Sequence, residues 1–209
     1  MLEGIDVSHY QGNIDWHKVA QSGRRFAFIK ATDGTSYVDS AYIRNRNGCI
    51  AAGMYPSAYH FYRANLDPIE QANHFAHIIM PVSQGQLQPA FDIEEISLEG
   101  WNGTPHQLRD DIASFLTEVN TLTGKDCIIY TDISFWRDQL ENTVQFSSHY
   151  PLWLADWNAS LTPRLVGGWK FQSFRQYSDN GHVPGINGPV DLDRFFGGER
   201  QLRKFAGYA

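Results

Sequence analysis

The sequence predicts an α/β chain built as a single eight-stranded β/α barrel, with shortened or missing late helices. Three observations carry that expectation. Strand-like stretches with period-two alternation interleave with helical patterns early in the chain, then follow one another with no helix signal between them. At 209 residues the chain can bury one substantial core and sits at the short end for a barrel of this kind. Acidic residues recur at strand ends, where such barrels place their chemistry.

Gly4-Ile5-Asp6-Val7-Ser8 reads as the first strand, with Ile5 and Val7 facing one way and Asp6 the other. His9-Tyr10-Gln11-Gly12 turns out of it, and a helix begins over 13–19 with Asn13 or Asp15 as cap. Residues 25–32 form strand two, ended by Asp33-Gly34-Thr35, with Phe28, Lys30 and Thr32 on one face. A helical pattern over 42–52 closes at Gly53. Strand three spans 55–63 and carries Tyr59 and Phe61; its helix covers 71–79.

Pro89-Ala90-Phe91-Asp92-Ile93-Glu94-Glu95 is the fourth strand and the centre of the chain's chemistry. Ala90, Asp92 and Glu94 share one face, so two carboxylates point the same way from Cα atoms roughly 6.5 Å apart. Their mutual repulsion raises the pKa of one of them, as an acid/base pair requires. A helix follows over 104–122, with Thr104 as cap and Pro105 as first helical residue, and breaks at Thr123-Gly124-Lys125. Strand five (127–131) carries Tyr130, and a short helix runs over 133–139. Strand six (152–155) carries Trp153, strand seven (171–177) Gln176 and Tyr177, and strand eight (189–195) Asp191. Links at 163–168 and 181–189 bear Gly and Pro without a helix signal. The tail from 197 to 209 adds one short basic helix, and no second domain is expected within 1–209.

Composition narrows the partners. Lys and Arg number 17 against 23 Asp and Glu, a net charge of −6, which leaves no basic footprint for nucleic acid and no attraction to an anionic polymer. No apolar run approaches the roughly 18 residues of a membrane span. The start, Met1-Leu2-Glu3-Gly4, shows no signal peptide. Cys49 and Cys127 sit in apolar settings and are expected as buried free thiols, without zinc spacing. Aromatic residues are 14% of the chain, and aromatic faces are what sugar rings stack upon.

Asp6, Asp92, Glu94 and Asp191 lie at the C-terminal ends of strands one, four and eight in this scheme. Strands one and eight are neighbours in a closed barrel, so Asp6 and Asp191 should lie side by side. An acidic cluster in one mouth serves either a divalent metal or acid catalysis on a glycosidic bond. Metal binding would draw on converging histidines; His74 and His77 fall instead on a helix face, and no metal or other cofactor is expected. Lys30 is expected at the mouth as a charge partner for the acids, the ordinary alternative being an outward-snorkelling lysine. Tyr59, Phe61, Tyr130, Trp153, Gln176 and Tyr177 divide between plain core and a sugar-binding wall.

These residues resemble the glycoside hydrolase family 25 muramidases. The resemblance lies in Gly4-Ile5-Asp6-Val7-Ser8 with Tyr10-Gln11-Gly12 and Ile14-Asp15-Trp16, in Phe28 to Tyr37, in Ala58-Tyr59-His60-Phe61 and in the Asp92-x-Glu94 strand. It continues through Pro151-Leu152-Trp153-Leu154-Ala155, Gln176-Tyr177-Ser178 and Val190-Asp191-Leu192-Asp193, collinear over residues 4 to 196. It implies hydrolysis of the β-1,4 bond between N-acetylmuramic acid and N-acetylglucosamine in bacterial peptidoglycan glycan strands, by a monomer acting outside the producing cytoplasm. Glu94 matches the general acid/base, Asp92 its partner as nucleophile or orienter of the substrate's acetamido group, and Asp6 and Asp191 the remaining acids. Asp33, Trp157 and Arg175 depart from the pattern, standing where Glu, Tyr and Trp are usual, which bears on glycan-contact detail. No separate wall-binding module is expected, which fits a phage lysin released by a holin or an exported enzyme whose leader is absent. The competing readings are a barrel that binds amino sugars without cutting them, and a metal-dependent amidase or deacetylase.

Overall fold

Eight strands close into a ring in the computed structural model, which describes residues 1–158, 162 and 164–208. The elements in order are β1 (Leu2–Val7), α1 (Trp16–Gln21), β2 (Arg24–Asp33), β3 (Tyr37–Val38), α2 (Tyr42–Ala51), β4 (Tyr55–Phe61) and α3 (Pro68–Ile79). There follow β5 (Ala90–Asp92), α4 (Pro105–Thr123), β6 (Ile128–Asp132), α5 (Ile133–Asp138), β7 (Leu152–Ala155), β8 (Phe174–Gly181), β9 (Val190–Phe195) and α6 (Glu199–Phe205). The ring runs β1-β9-β8-β7-β6-β5-β4-β2 and closes through β1–β2, with β3 added to β2 as a short antiparallel edge. Asp15 caps α1, and Thr104 with Pro105 starts α4, both as expected. The late helices are indeed reduced: α5 spans six residues, and no helix lies between β7 and β9 among the described residues. Residue 163 of the first late link and residue 209 of the tail lie outside the described residues.

Alternation sorts the side chains into two cores. On β2, Ala27, Ile29 and Ala31 face the helices, while Phe26 and Phe28 fill the barrel with Ile128, Tyr130, Trp153 and Phe174. Burying each such Phe stabilises the fold by about 1.5–3 kcal/mol. Phe28 stacks on Trp153 with centroids 3.7 Å apart, giving the mouth a rigid aromatic floor. Gly4 makes room for that filling: a Cβ there would stand 2.4 Å from the Phe26 ring. At the far end α6 closes the barrel, with Phe205 against Phe174 and Phe195.

The structure corrects several local expectations. β9 is antiparallel to both β1 and β8, so Asp191 lies at the N-terminal end of its strand and reaches the mouth because the strand runs backwards. β8 starts at Phe174 and continues to Gly181, later at both ends than the expected 171–177. β5 ends at Asp92, and Glu94 is instead the extended residue before a 3₁₀ turn over Glu95–Leu98. A register shift in β2 between Lys30 and Thr32 puts those two residues on opposite faces. Thr32 hydrogen-bonds His60, whose ring packs on Phe115 of α4, so both look outward. Cys49 and Cys127 are buried and free.

Candidate active site

The mouth opens into a cavity of about 230 Å³ in which the four expected acids converge. Asp6 comes from β1 and Asp191 from the paired position on β9; Asp92 ends β5, and Glu94 follows two residues on. Lys30, Tyr59, Phe61, Tyr130, Trp153 and Gln176 line the same cavity. Ser8, Tyr10 and Gln11 from the turn after β1 add a wall that the sequence had not marked as part of a site.

Tyr177 does not join them. It neighbours Gln176 on the strand, so its side chain takes the outer face, where its hydroxyl donates to Glu3 Oε2 at 2.7 Å under the Arg194 guanidinium. Tyr177 therefore lines neither the mouth nor its extension, contrary to the expected grouping with Gln176.

The acids form two groups. On one side Asp6 Oδ2 accepts a 2.9 Å hydrogen bond from Gln176 Nε2, and Gln176 Oε1 accepts from the Tyr130 hydroxyl at 3.0 Å. Burial pushes the Asp6 carboxyl well above its ordinary pKa, and the charges of Asp193 and Asp191 push it further. Asp193 is fully buried and accepts from Trp153 Nε1 at 2.8 Å; burial raises it as well. The alternation Asp191-x-Asp193 was the available sign that this residue shares the inner face.

On the other side stand Asp92 and Glu94. Burial raises Asp92 well above its ordinary value, the Glu94 charge adds to that, and Lys30 opposes it. Glu94, half-buried, is raised first by burial and next by Asp132, so desolvation leads where carboxylate repulsion was expected to. Asp132 ends β6 and caps α5, a strand-end acid that sequence reasoning passed over. Lys30 faces the acids, and its ammonium is also held by Asp33 at 3.0 Å and lies 4.6 Å from the Phe61 ring centroid. Asp33 in turn binds Arg63 at 2.7 Å, so the shorter acid at this position anchors two cations beside the mouth.

A second cavity of about 560 Å³ continues from the first and shares Glu94 and Tyr130 with it. Its other walls include Asp132, Arg137, Trp157 and Arg164. Among the described residues no group of three or more His, Cys, Asp or Glu is arranged to hold a metal ion, and no helix is long and apolar enough to cross a membrane.

A family profile described as Glycosyl hydrolases family 25 matches residues 5–186. The chain is 35% identical to Lysozyme M1 of Streptomyces globisporus over 98% of its own length and 71% of that protein's. It is 31% identical to an N,O-diacetylmuramidase of Arthroderma benhamiae, covering 98% of this chain and 86% of that one. Among solved structures, the bacterial lysozyme of Streptomyces coelicolor superposes with a TM-score of 0.91 at 34% identity, over 98% of this chain and 96% of that one.

Proposed function

The chain belongs to glycosyl hydrolase family 25 and is a peptidoglycan muramidase, and we propose that Glu94 is its general acid/base, with Asp92 as the partner that secures net retention. The observation that carries this assignment is the position of Glu94, which lines both cavities at once. A glycosidic bond joining a sugar in the first cavity to one in the second would place its oxygen beside Glu94. Desolvation and nearby acids keep that carboxyl protonated to higher pH than an ordinary glutamate, the state a proton donor needs.

Asp92 sits deeper, 7% exposed, at the end of β5 and on the inner face shared with Ala90. There it would lie under C1 of the sugar or its 2-acetamido group and carry negative charge against the oxocarbenium-like transition state. Burial works against a charge on Asp92, and a proton on Glu94 together with the Lys30 ammonium works for it, so the pair shares its titration. Covalent attack by Asp92 and attack by the acetamido oxygen both invert twice and so retain configuration. We further propose that the substrate is the glycan strand of the wall, met outside the producing cell's cytoplasm, and that one barrel acts alone as a monomer.

Purified cell walls provide the test. The enzyme should clear their turbidity, release new muramic-acid reducing ends with the β-anomer first, and keep its full rate after exhaustive chelation. An α-anomer first would overturn the retention assignment. Loss of activity with EDTA would favour a metal-dependent amidase or deacetylase, and wall binding without clearing would favour a sugar-binding barrel.

A further inference from the structure

Arg175 is a long cation enclosed in the protein, 2% exposed, on the outer face of β8. Buried guanidinium groups are costly unless every donor is used, so their partners are informative. Nε of Arg175 donates to the backbone carbonyl of Asp156 at 2.7 Å, and Nη2 donates to the carbonyl of Asn158. Asp156, itself buried, receives Arg164 on Oδ1, lies 3.7 Å from Arg175 Nη2 through Oδ2, and accepts the Asn158 backbone N–H at 3.2 Å. Residues 156–158, which follow β7, are thus wrapped around one guanidinium and pinned at both ends.

The residue between the two pinned carbonyls is Trp157. It is 57% exposed and lines the second cavity, and its indole donates through Nε1 to Gln176 Oε1 at 3.2 Å. Gln176 in turn holds Asp6. A large apolar ring left in the open and oriented at its polar edge is the form of platform on which the CH face of a sugar packs.

We propose that Arg175, with Asp156, is a positioning residue for the leaving half of the glycan, holding Trp157 as the wall against which the leaving sugar packs. This rests on the muramidase reading above, in which the first cavity holds the sugar that is attacked. A lysine cannot take the place of Arg175, because one ammonium on a flexible stem does not reproduce two divergent N–H donors aimed at two carbonyls.

The test compares kcat/KM on peptidoglycan glycan chains with kcat/KM on a soluble aryl glycoside of the same amino sugar, whose leaving group is not a sugar. Arg175→Lys should raise KM on the glycan and lower the glycan-to-aryl ratio by roughly tenfold. Trp157→Ala should lower that ratio to a similar degree, Trp157→Phe should restore most of it, and the double variant should be no worse than the worse single. If Arg175→Lys fails to fold, the two Trp157 variants decide. An unchanged ratio in Trp157→Ala, or a folded Arg175→Lys that loses equally on both substrates, would overturn the inference. A wild-type protein that cuts neither substrate would overturn the muramidase reading instead.

Discussion

Asp6 and Asp191 are directly paired residues of the antiparallel β1–β9 ladder, and the contact between their carboxyls raises the pKa of Asp6 while lowering that of Asp191. Burial raises both, so Asp6 keeps its proton to higher pH than its neighbour. A neutral Asp6 can accept the Gln176 amide while donating to Asp191, which leaves the more exposed carboxylate charged toward the cleft. The same logic of one proton among crowded acids governs the outcomes below.

Glu94→Gln keeps the shape of the side chain and removes the proton. Hydrolysis of cell walls should fall by about a hundredfold or more with the thermal midpoint unchanged or raised. Asp92→Asn should be similarly crippling. Glu95, exposed and hydrogen-bonded by Gln139, does not line the cavity, and Glu95→Gln should behave like wild type in the same turbidity assay. A dead Glu95→Gln beside an active Glu94→Gln would reverse the assignment.

Lys30 lowers the pKa of both Asp92 and Glu94 from its place at the mouth. Lys30→Met should therefore move both limbs of the pH–rate profile upward, and the protonation of Asp92 should reduce the rate at neutral pH by roughly tenfold or more. Stability should suffer less, since Asp33 retains Arg63. Unchanged pH limbs would show that the ammonium serves Asp33 alone.

Asp193 is buried beside Asp6 with its pKa raised, and a carboxyl raised in the folded state stabilises the protein at low pH. That contribution is complete below the unfolded value, near 3.8, and is lost as pH climbs through the raised folded value. Asp193→Asn keeps an acceptor for Trp153 Nε1 and removes the buried charge. The variant should melt a few degrees higher than wild type at pH 7 and show a flatter dependence of the midpoint on pH. A lower midpoint at pH 7 would mean that the charge is compensated.

Tyr177→Phe should leave both kinetic constants as they are and cost about 0.5–1.5 kcal/mol through the lost bond to Glu3, measurable by urea unfolding. A rise in KM would return Tyr177 to the site.

Alternation explains how much could be read in advance. Ala90, Asp92 and Glu94 were placed on one inner face because strand geometry leaves no choice, and both acids do line the cavity even though the strand stops at Asp92. Gln176 and Tyr177 were both expected at the sugar-binding wall, a grouping that alternation along one strand argues against. The reversal of β9 agrees with its link, since Gly181 to Val190 is too short for the dozen or more residues of a parallel crossover, but the strand end expected at 177 made that link look longer. Other features were out of reach. The shift that turns Thr32 outward arises from pairing with β4, and the seat of Trp157 depends on Arg175, distant in sequence and recognised beforehand only as a departure from the family pattern.

The ring of strands closes between the first strand and the last. Asp6 therefore waits for Asp191, and the Gln176 amide for both, until β9 has been made. A ribosome-bound or truncated chain without β9 has an open sheet, an unpaired β1 edge and no assembled acid cluster. Such long-range closure is slow to find because the loop it must close is long. Assembly of the acid cluster is thus tied by topology to closure of the whole ring.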